Sequence, residues 1–279
     1  MELTLTPDSI EKFRDYLSAR GKSSGTIHAY CADMSGIIDF QATNNPQASD
    51  SLSEDDAARY LNKLRRTVQP TTVKRKLASI RMFARSQGYS SFLKEYVPPK
   101  PAKPQPHPLE EGMEGFKKLV FVARNSQQRA LLALTFLCGL RVTEARRVVL
   151  DDIDKFDGTL AVHGKGDKRR IVPLSERAYE LLEERIIEIS TDPNARWDST
   201  PLVDVSDKTA RRWITRMGVD AGLGRNISSH DGRATFATTV LNNTQNIRVV
   251  QELLGHASVA QTEVYTGVEM SAMKQAVNF

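Results

Sequence analysis

VPPKPAKPQPHP, residues 97–108, carries six of the twelve prolines in the 279-residue sequence. Each proline fixes φ and lacks an N–H donor, so the stretch is neither helix nor central strand and reads as an extended linker. Apolar periodicity resumes on both sides of it. The expected organisation is therefore a module over residues 1–96, a linker over 97–108 and a second module over 109–279.

Upstream of the linker the pattern is helical. Thr6 or Asp8 can cap a helix with Ile10, Phe13 and Leu17 on one stripe, and Ser53 can cap another carrying Ala57, Tyr60, Leu61 and Leu64. Pro70 suits the first turn of QPTTVKRKLASIRMFARSQG, where Val73, Leu77, Ile80 and Ala84 face inward and Gly88 can end the helix. From Ala57 to Arg85 there are nine lysines and arginines and no acid. Such segregation points one face at a polyanion, and Lys74, Arg75, Lys76, Arg81 and Arg85 are the expected contacts there.

Downstream, helices mix with a few strands. QQRALLALTFLCGL reads as a buried helix ended by Gly139, followed by a helix in RVTEARRVV with Thr143 as its N-cap. TLAVH and RRIVP flank GKGDK as a β-hairpin with a glycine-bearing turn. Ser175 caps the acidic helix ERAYELLEERIIEIS, a solvent face, and SDKTARRWITRMG is a helix bearing Lys208, Arg211, Arg212 and Arg216. The fold class is mainly α with a small β-sheet: a helical N-terminal module and a mixed α/β module.

Composition excludes several functions. The longest clean apolar run is ten residues, too short to span a membrane, and the acidic N-terminus does not resemble a signal peptide. Cys31 and Cys138 lie far apart, with no grouping that suggests a metal or cofactor. A cytoplasmic setting is expected, and the net charge of +5 suits a nucleic-acid partner.

Four separated motifs then carry a resemblance: GLRVTEA with Arg141, HGKGDKRRIVPL with Lys165, HDGRATFAT with His230 and Arg233, and LLGHASVAQTEVYTG with His256 and Tyr265. In this order the chain resembles the tyrosine recombinases, the family of phage integrases and chromosome-dimer recombinases. The resemblance implies a helical core-binding domain and a catalytic domain forming a clamp around duplex DNA. It also implies a core-type inverted-repeat site and a homotetramer holding two duplexes, with an accessory directionality factor as a further partner.

The implied chemistry needs these residue types. A phosphodiester repels nucleophiles, so without a metal its charge must be met by fixed cations, here Arg141 and Arg233. Tyr265 would attack to give a 3′-phosphotyrosine, which conserves the bond for rejoining and leads through a Holliday junction. Lys165 would protonate the leaving 5′ oxygen, with Lys168 a second choice for that role or a DNA contact. His230, an imidazole, would take the tyrosine proton, His256 would hydrogen-bond the scissile phosphate, and Glu144 would orient an arginine or histidine.

Two departures stand out. The family commonly has a leucine before the second arginine and a histidine after it, where this chain has Gly232 and Ala234. They lean the reading toward a mobile-element integrase and imply altered packing, not loss of cleavage. The competing readings are a type IB topoisomerase-like enzyme and a non-catalytic DNA-binding regulator. The C-terminal stretch EMSAMKQAVNF either docks on a neighbouring protomer or folds onto its own domain.

Overall fold

The structure is a computed structural model describing residues 2–101, 107–164, 169–255 and 270–279. The chain divides into two compact units, Met1–Pro104 and Gln105–Phe279, so the division falls inside the proline-rich stretch.

The first unit contains strand β1 (Glu2–Thr4), helices α1 (Pro7–Ala19) and α2 (Ser24–Asn44), strand β2 (Ser51–Ser53), and helices α3 (Glu54–Leu64) and α4 (Pro70–Ser86). Thr6 caps α1 by accepting from the Ser9 N–H, and Ser53 caps α3 by accepting from the Asp56 N–H. The apolar stripes of these helices meet in a core where Phe13 packs edge-on against Phe83 with ring centroids 5.2 Å apart. Each such buried aromatic contributes on the order of 1.5–3 kcal/mol by leaving water. The ribbon of β1 and β2 is an addition to the all-helical expectation. It pairs Leu3 with Leu52, both fully buried, so the strands close one end of the core.

The second unit opens with α5 (Gly112–Val122) and α6 (Ser126–Leu132), and α6 runs on into a π-helical turn, Ala133–Leu137. The sequence predicts a buried helix ended by Gly139; its last turn is wider, with one more residue per hydrogen bond before the chain breaks. A one-turn helix α7 (Val142–Ala145) follows, then a three-stranded antiparallel sheet of β3 (Ile153–Asp154), β4 (Thr159–His163) and β5 (Arg169–Pro173). The β4–β5 register runs from Thr159↔Pro173 to His163↔Arg169, so the two expected strands pair on either side of GKGDK, whose residues 165–168 lie outside the described residues. Helices α8 (Glu176–Thr191), α9 (Asp207–Asp220), α10 (Ser229–Thr244), α11 (Ile247–Leu254) and α12 (Met270–Ala276) complete the unit. Its core gathers Phe116, Leu131, Leu134, Phe136, Leu160, Leu182, Ile214, Phe236 and Leu253.

Candidate active site

The site begins where the π-helical turn stops. Gly139 adopts φ +65°, and a Cβ there would lie 2.4 Å from Phe236 Cδ1, so the break needs glycine for both conformation and space. The chain then extends through Arg141, which is the N-cap of α7. This corrects the expectation for Thr143, which is the second residue of the helix. The capping group is Glu144, whose carboxylate accepts from the Arg141 N–H at 2.9 Å. A carboxylate at this position also meets the positive end of the turn's dipole.

Glu144 is the hub of the site. It is buried, and its oxygens accept from Arg141 Nη1 at 2.9 Å and from Arg170 Nη2 at 2.9 Å and Nη1 at 3.3 Å, with Arg233 Nη1 3.9 Å away. Burial by itself would raise its pKa. The hydrogen bonds and charges of Arg170 and Arg141 outweigh burial and hold the carboxyl below the usual glutamate range. Three guanidiniums around one carboxylate leave two positive charges uncompensated. The partners of Glu144 are thus arginines, and Arg170 belongs to the cluster although sequence reasoning missed it. Its place in HGKGDKRRIVPL, at an inward position two residues past the hairpin tip, was the available signal.

Arg233 reaches the cluster from the first turns of α10. Its side chain is about nine-tenths buried, with Nη1 donating to Gly139 O and Nη2 to Leu254 O, both at 2.6 Å. Burial first, then the Arg141 and Arg170 charges, push its pKa down to about 10, with Glu144 opposing; it stays cationic at neutral pH. The start of α10 is set by Asp231, which accepts from Ser228 N and Ser228 Oγ at 2.6 Å and from Arg225 Nη1 at 2.9 Å. These bonds offset the cost of burial and lower the Asp231 pKa. His230 lies one residue earlier, exposed on the helix surface.

Gly232 has a packing reason. A Cβ at this position would stand 2.8 and 2.9 Å from Phe136 Cε2 and Cδ2, so the ring of Phe136 occupies the space a larger side chain would take. The departure from the family pattern is therefore matched inside the chain's own core.

Helix α11 ends beside the cluster. Arg170 Nε donates to Leu253 O at 3.1 Å while Arg233 takes Leu254 O, so two of the helix's unpaired terminal carbonyls find guanidinium donors. Gly255 closes the helix at φ +62°, and a Cβ there would meet Arg170 Cδ at 2.8 Å. The next residue is His256. His256, Tyr265, Lys165 and Lys168 lie outside the described residues, as does the rest of the stretch 256–269.

The expected DNA-contacting residues divide into two groups. Lys74 and Arg85 are exposed on α4. Lys76 instead points inward: its ammonium bonds Tyr60 Oη at 3.0 Å and sits 3.1 Å from the buried Asp33. Burial lowers its pKa, but the Tyr60 and Asp33 contacts outweigh burial and raise it. Arg75 also pairs with Asp33, and Arg81 donates to the carbonyls of Leu93, Lys94 and Tyr96. Sequence spacing marked these charges, yet the carboxylate that Arg75 and Lys76 neutralise, Asp33, sits on α2, far away in the chain. On α9, Arg211, Arg212 and Arg216 are exposed, with Arg211 3.9 Å from Asp207 and Arg216 2.9 Å from Asp220.

The C-terminal stretch folds onto its own unit. Met273, Ala276 and Val277 join the core, and Phe279 packs against Phe236 with centroids 6.3 Å apart.

Comparison with known proteins agrees with this architecture. The phage integrase family model matches residues 115–272, and the phage integrase N-terminal SAM-like domain matches residues 10–86. Tyrosine recombinase XerC of Listeria monocytogenes is 32% identical over 290 aligned residues, covering 95% of this chain and 94% of that protein. The XerH recombinase bound to its difH substrate superposes with a TM-score of 0.68 at 22% identity, covering 97% of this chain and 84% of that one. A lambda integrase tetramer bound to a Holliday junction gives 0.68 at 16% identity, covering 92% and 79%. At those identities the two structures establish the fold alone. Matched by the family model over more than half its length and by XerC over nearly all of it, the chain belongs to the phage integrase family and is a tyrosine recombinase, an enzyme that breaks and rejoins DNA strands.

Proposed function

We propose that the protein exchanges strands between two DNA duplexes at a core-type site with inverted arms, through a 3′-phosphotyrosine and a Holliday junction, as a homotetramer. The observation that carries this reading is the cluster of Arg141, Arg170 and Arg233 over Glu144, two positive charges in excess, at the end of α11. Fixed, partly desolvated cations favour the added negative charge of a pentacoordinate phosphorus without reorganising. Half of the Arg141 side chain faces solvent, which suits it to grip a non-bridging oxygen.

Tyr265 Oη attacks the phosphorus and its proton passes to His230. The bond to the 5′ oxygen breaks, Lys165 protonates that oxygen, and the phosphate remains esterified to Tyr265. Reversal with a 5′ hydroxyl from the other duplex rejoins the strands. The lambda integrase tetramer solved on a Holliday junction shares the fold, which supports exchange in two steps. Lys74, Arg85, Arg211, Arg212 and Arg216 serve as phosphate contacts. The leaning toward a mobile element rested on Gly232 and Ala234; Gly232 is accounted for by Phe136, and the match to XerC supports a Xer-type role.

The test uses duplexes nicked near the cleavage position, so that the released end diffuses away and the covalent complex accumulates. DNA flanking the gene is the first source of sites. A protein–DNA band on a denaturing gel that is lost in Tyr265→Phe is the expected result. A retarded native complex on a confirmed site without any covalent band would reject the reading in favour of a binding regulator.

A further inference from the structure

We propose that Arg170 is a positioning residue that ties the hairpin β4–β5, the Arg141 turn and the end of α11 into one unit, so that the phosphate clamp and the last turn of α11 are set relative to each other by one guanidinium. The proposal rests on the recombinase reading for its consequence in catalysis, while the tie itself is a matter of geometry.

The planar fork of Arg170 is used in two directions at once. Nε donates to Leu253 O, in the last turn of α11, at 3.1 Å, and the two Nη atoms face both oxygens of Glu144 at 2.9 and 3.3 Å. Glu144 in turn holds Arg141 through both the backbone N–H and the side chain. Only an arginine has donors arranged to reach a carbonyl and a carboxylate in this way; a lysine is a point donor on a flexible stem.

Exposure separates Arg170 from the phosphate-gripping arginine. Its side chain is 14% exposed against 47% for Arg141, and its donors are turned to protein acceptors. Gly255 supports the same conclusion from the other side. A Cβ there would strike Arg170 Cδ at 2.8 Å, so the turn out of α11 and the path of this side chain fit only with each other. Arg170 follows Lys165 by five residues in the sequence and Leu253 precedes His256 by three, so one side chain joins β5 to the last turn of α11 close in sequence to the proposed general acid and to the proposed phosphate-binding histidine.

The test compares wild type with Arg170→Lys on a nicked duplex carrying the mapped cleavage site. It reads DNA affinity, the first-order rate of covalent complex formation at saturating protein, and amide hydrogen exchange in the free protein. Arg170→Lys keeps the charge and loses the double reach. The expected result is DNA affinity close to wild type, covalent complex formation slower by roughly 10–100-fold, as misplacement of reacting groups by about 1 Å costs, and faster exchange of the amides in the last turn of α11, with α8 unchanged.

Exchange in α11 equal to wild type, or a cleavage rate equal to wild type, would overturn the proposal, as would affinity falling in step with rate. If Arg170→Lys does not fold, Gly255→Ala supplies the second variant, since its methyl displaces the Arg170 stem, and it should show the same split between rate and affinity. If wild type forms no covalent complex, the recombinase reading fails, whereas the exchange measurement still judges the tie.

Discussion

Replacing Gly232 with alanine sets two effects of known size against each other. Alanine in a helix is favoured over glycine by roughly 0.5–1 kcal/mol, so on propensity alone Gly232→Ala stabilises α10. Against this, the new methyl would lie 2.8, 2.9 and 3.2 Å from three atoms of the Phe136 ring. That ring is fully buried and already rests against Phe116 at a centroid distance of 5.7 Å, so it has little freedom to withdraw. Forcing a methyl into a filled core costs about 1–3 kcal/mol. Overpacking wins, and the net expectation is a loss of about 1–2 kcal/mol, or roughly 2–8 °C in the melting midpoint of a domain this size. Both tryptophans, Trp197 and Trp213, lie in the second unit, so their fluorescence follows its unfolding in denaturant or heat. The double variant Gly232→Ala/Phe136→Leu removes the obstacle. It should be no less stable than Phe136→Leu alone, giving a coupling energy of at least about 1 kcal/mol. If Gly232→Ala is as stable as wild type and the two substitutions simply add, the packing explanation of this glycine is wrong.

Glu144→Gln keeps the shape of the hub and removes its charge, leaving Arg170 and Arg141 facing an amide; a loss of about 2–4 kcal/mol is expected from thermal melts at pH 7. Because the folded Glu144 pKa lies below its ordinary value of 4.5, its ionised form adds stability that is fully present above that value and is lost as pH falls through the lower, folded one. The gap between wild type and Glu144→Gln should therefore be constant near neutrality and narrow below about pH 4.5, and a gap that widens on acidification would refute the assignment. For DNA binding, replacing Lys74 and Arg85 together should reduce the slope of log affinity against log salt by about 2. Lys76→Met should leave that slope unchanged and instead lower the melting point of the first unit by circular dichroism, since it removes a partner of the buried Asp33; a flattened slope would return Lys76 to the phosphate contacts.

Much of this protein is decided by local patterns. The division between Pro104 and Gln105 falls in a stretch that proline chemistry marks, and Thr6, Ser53, Ser175 and Ser206 begin helices because a hydroxyl satisfies an otherwise unpaired N–H. The strand pair flanking GKGDK was likewise readable, since it depends on residues close to each other in the chain. Motif order marked Arg141, Glu144 and Arg233, and the fold brings the two arginines together at the Glu144 carboxylate. What required tertiary structure is what depends on partners distant in sequence. Arg170 is 26 residues from Glu144 and 83 from Leu253, so its inward place on β5 signals burial but not the two partners it links. Arg75 and Lys76 looked like free surface cations until Asp33, 42 and 43 residues earlier, was found buried against them. Gly232 looked like a defect in a motif until Phe136 filled its place, and the ribbon of β1 and β2 formed because Leu3 and Leu52 needed burial that three-residue strands do not secure alone. Periodicity tells which face of an element is apolar, while charge pairing and close contact are settled only when separate elements meet.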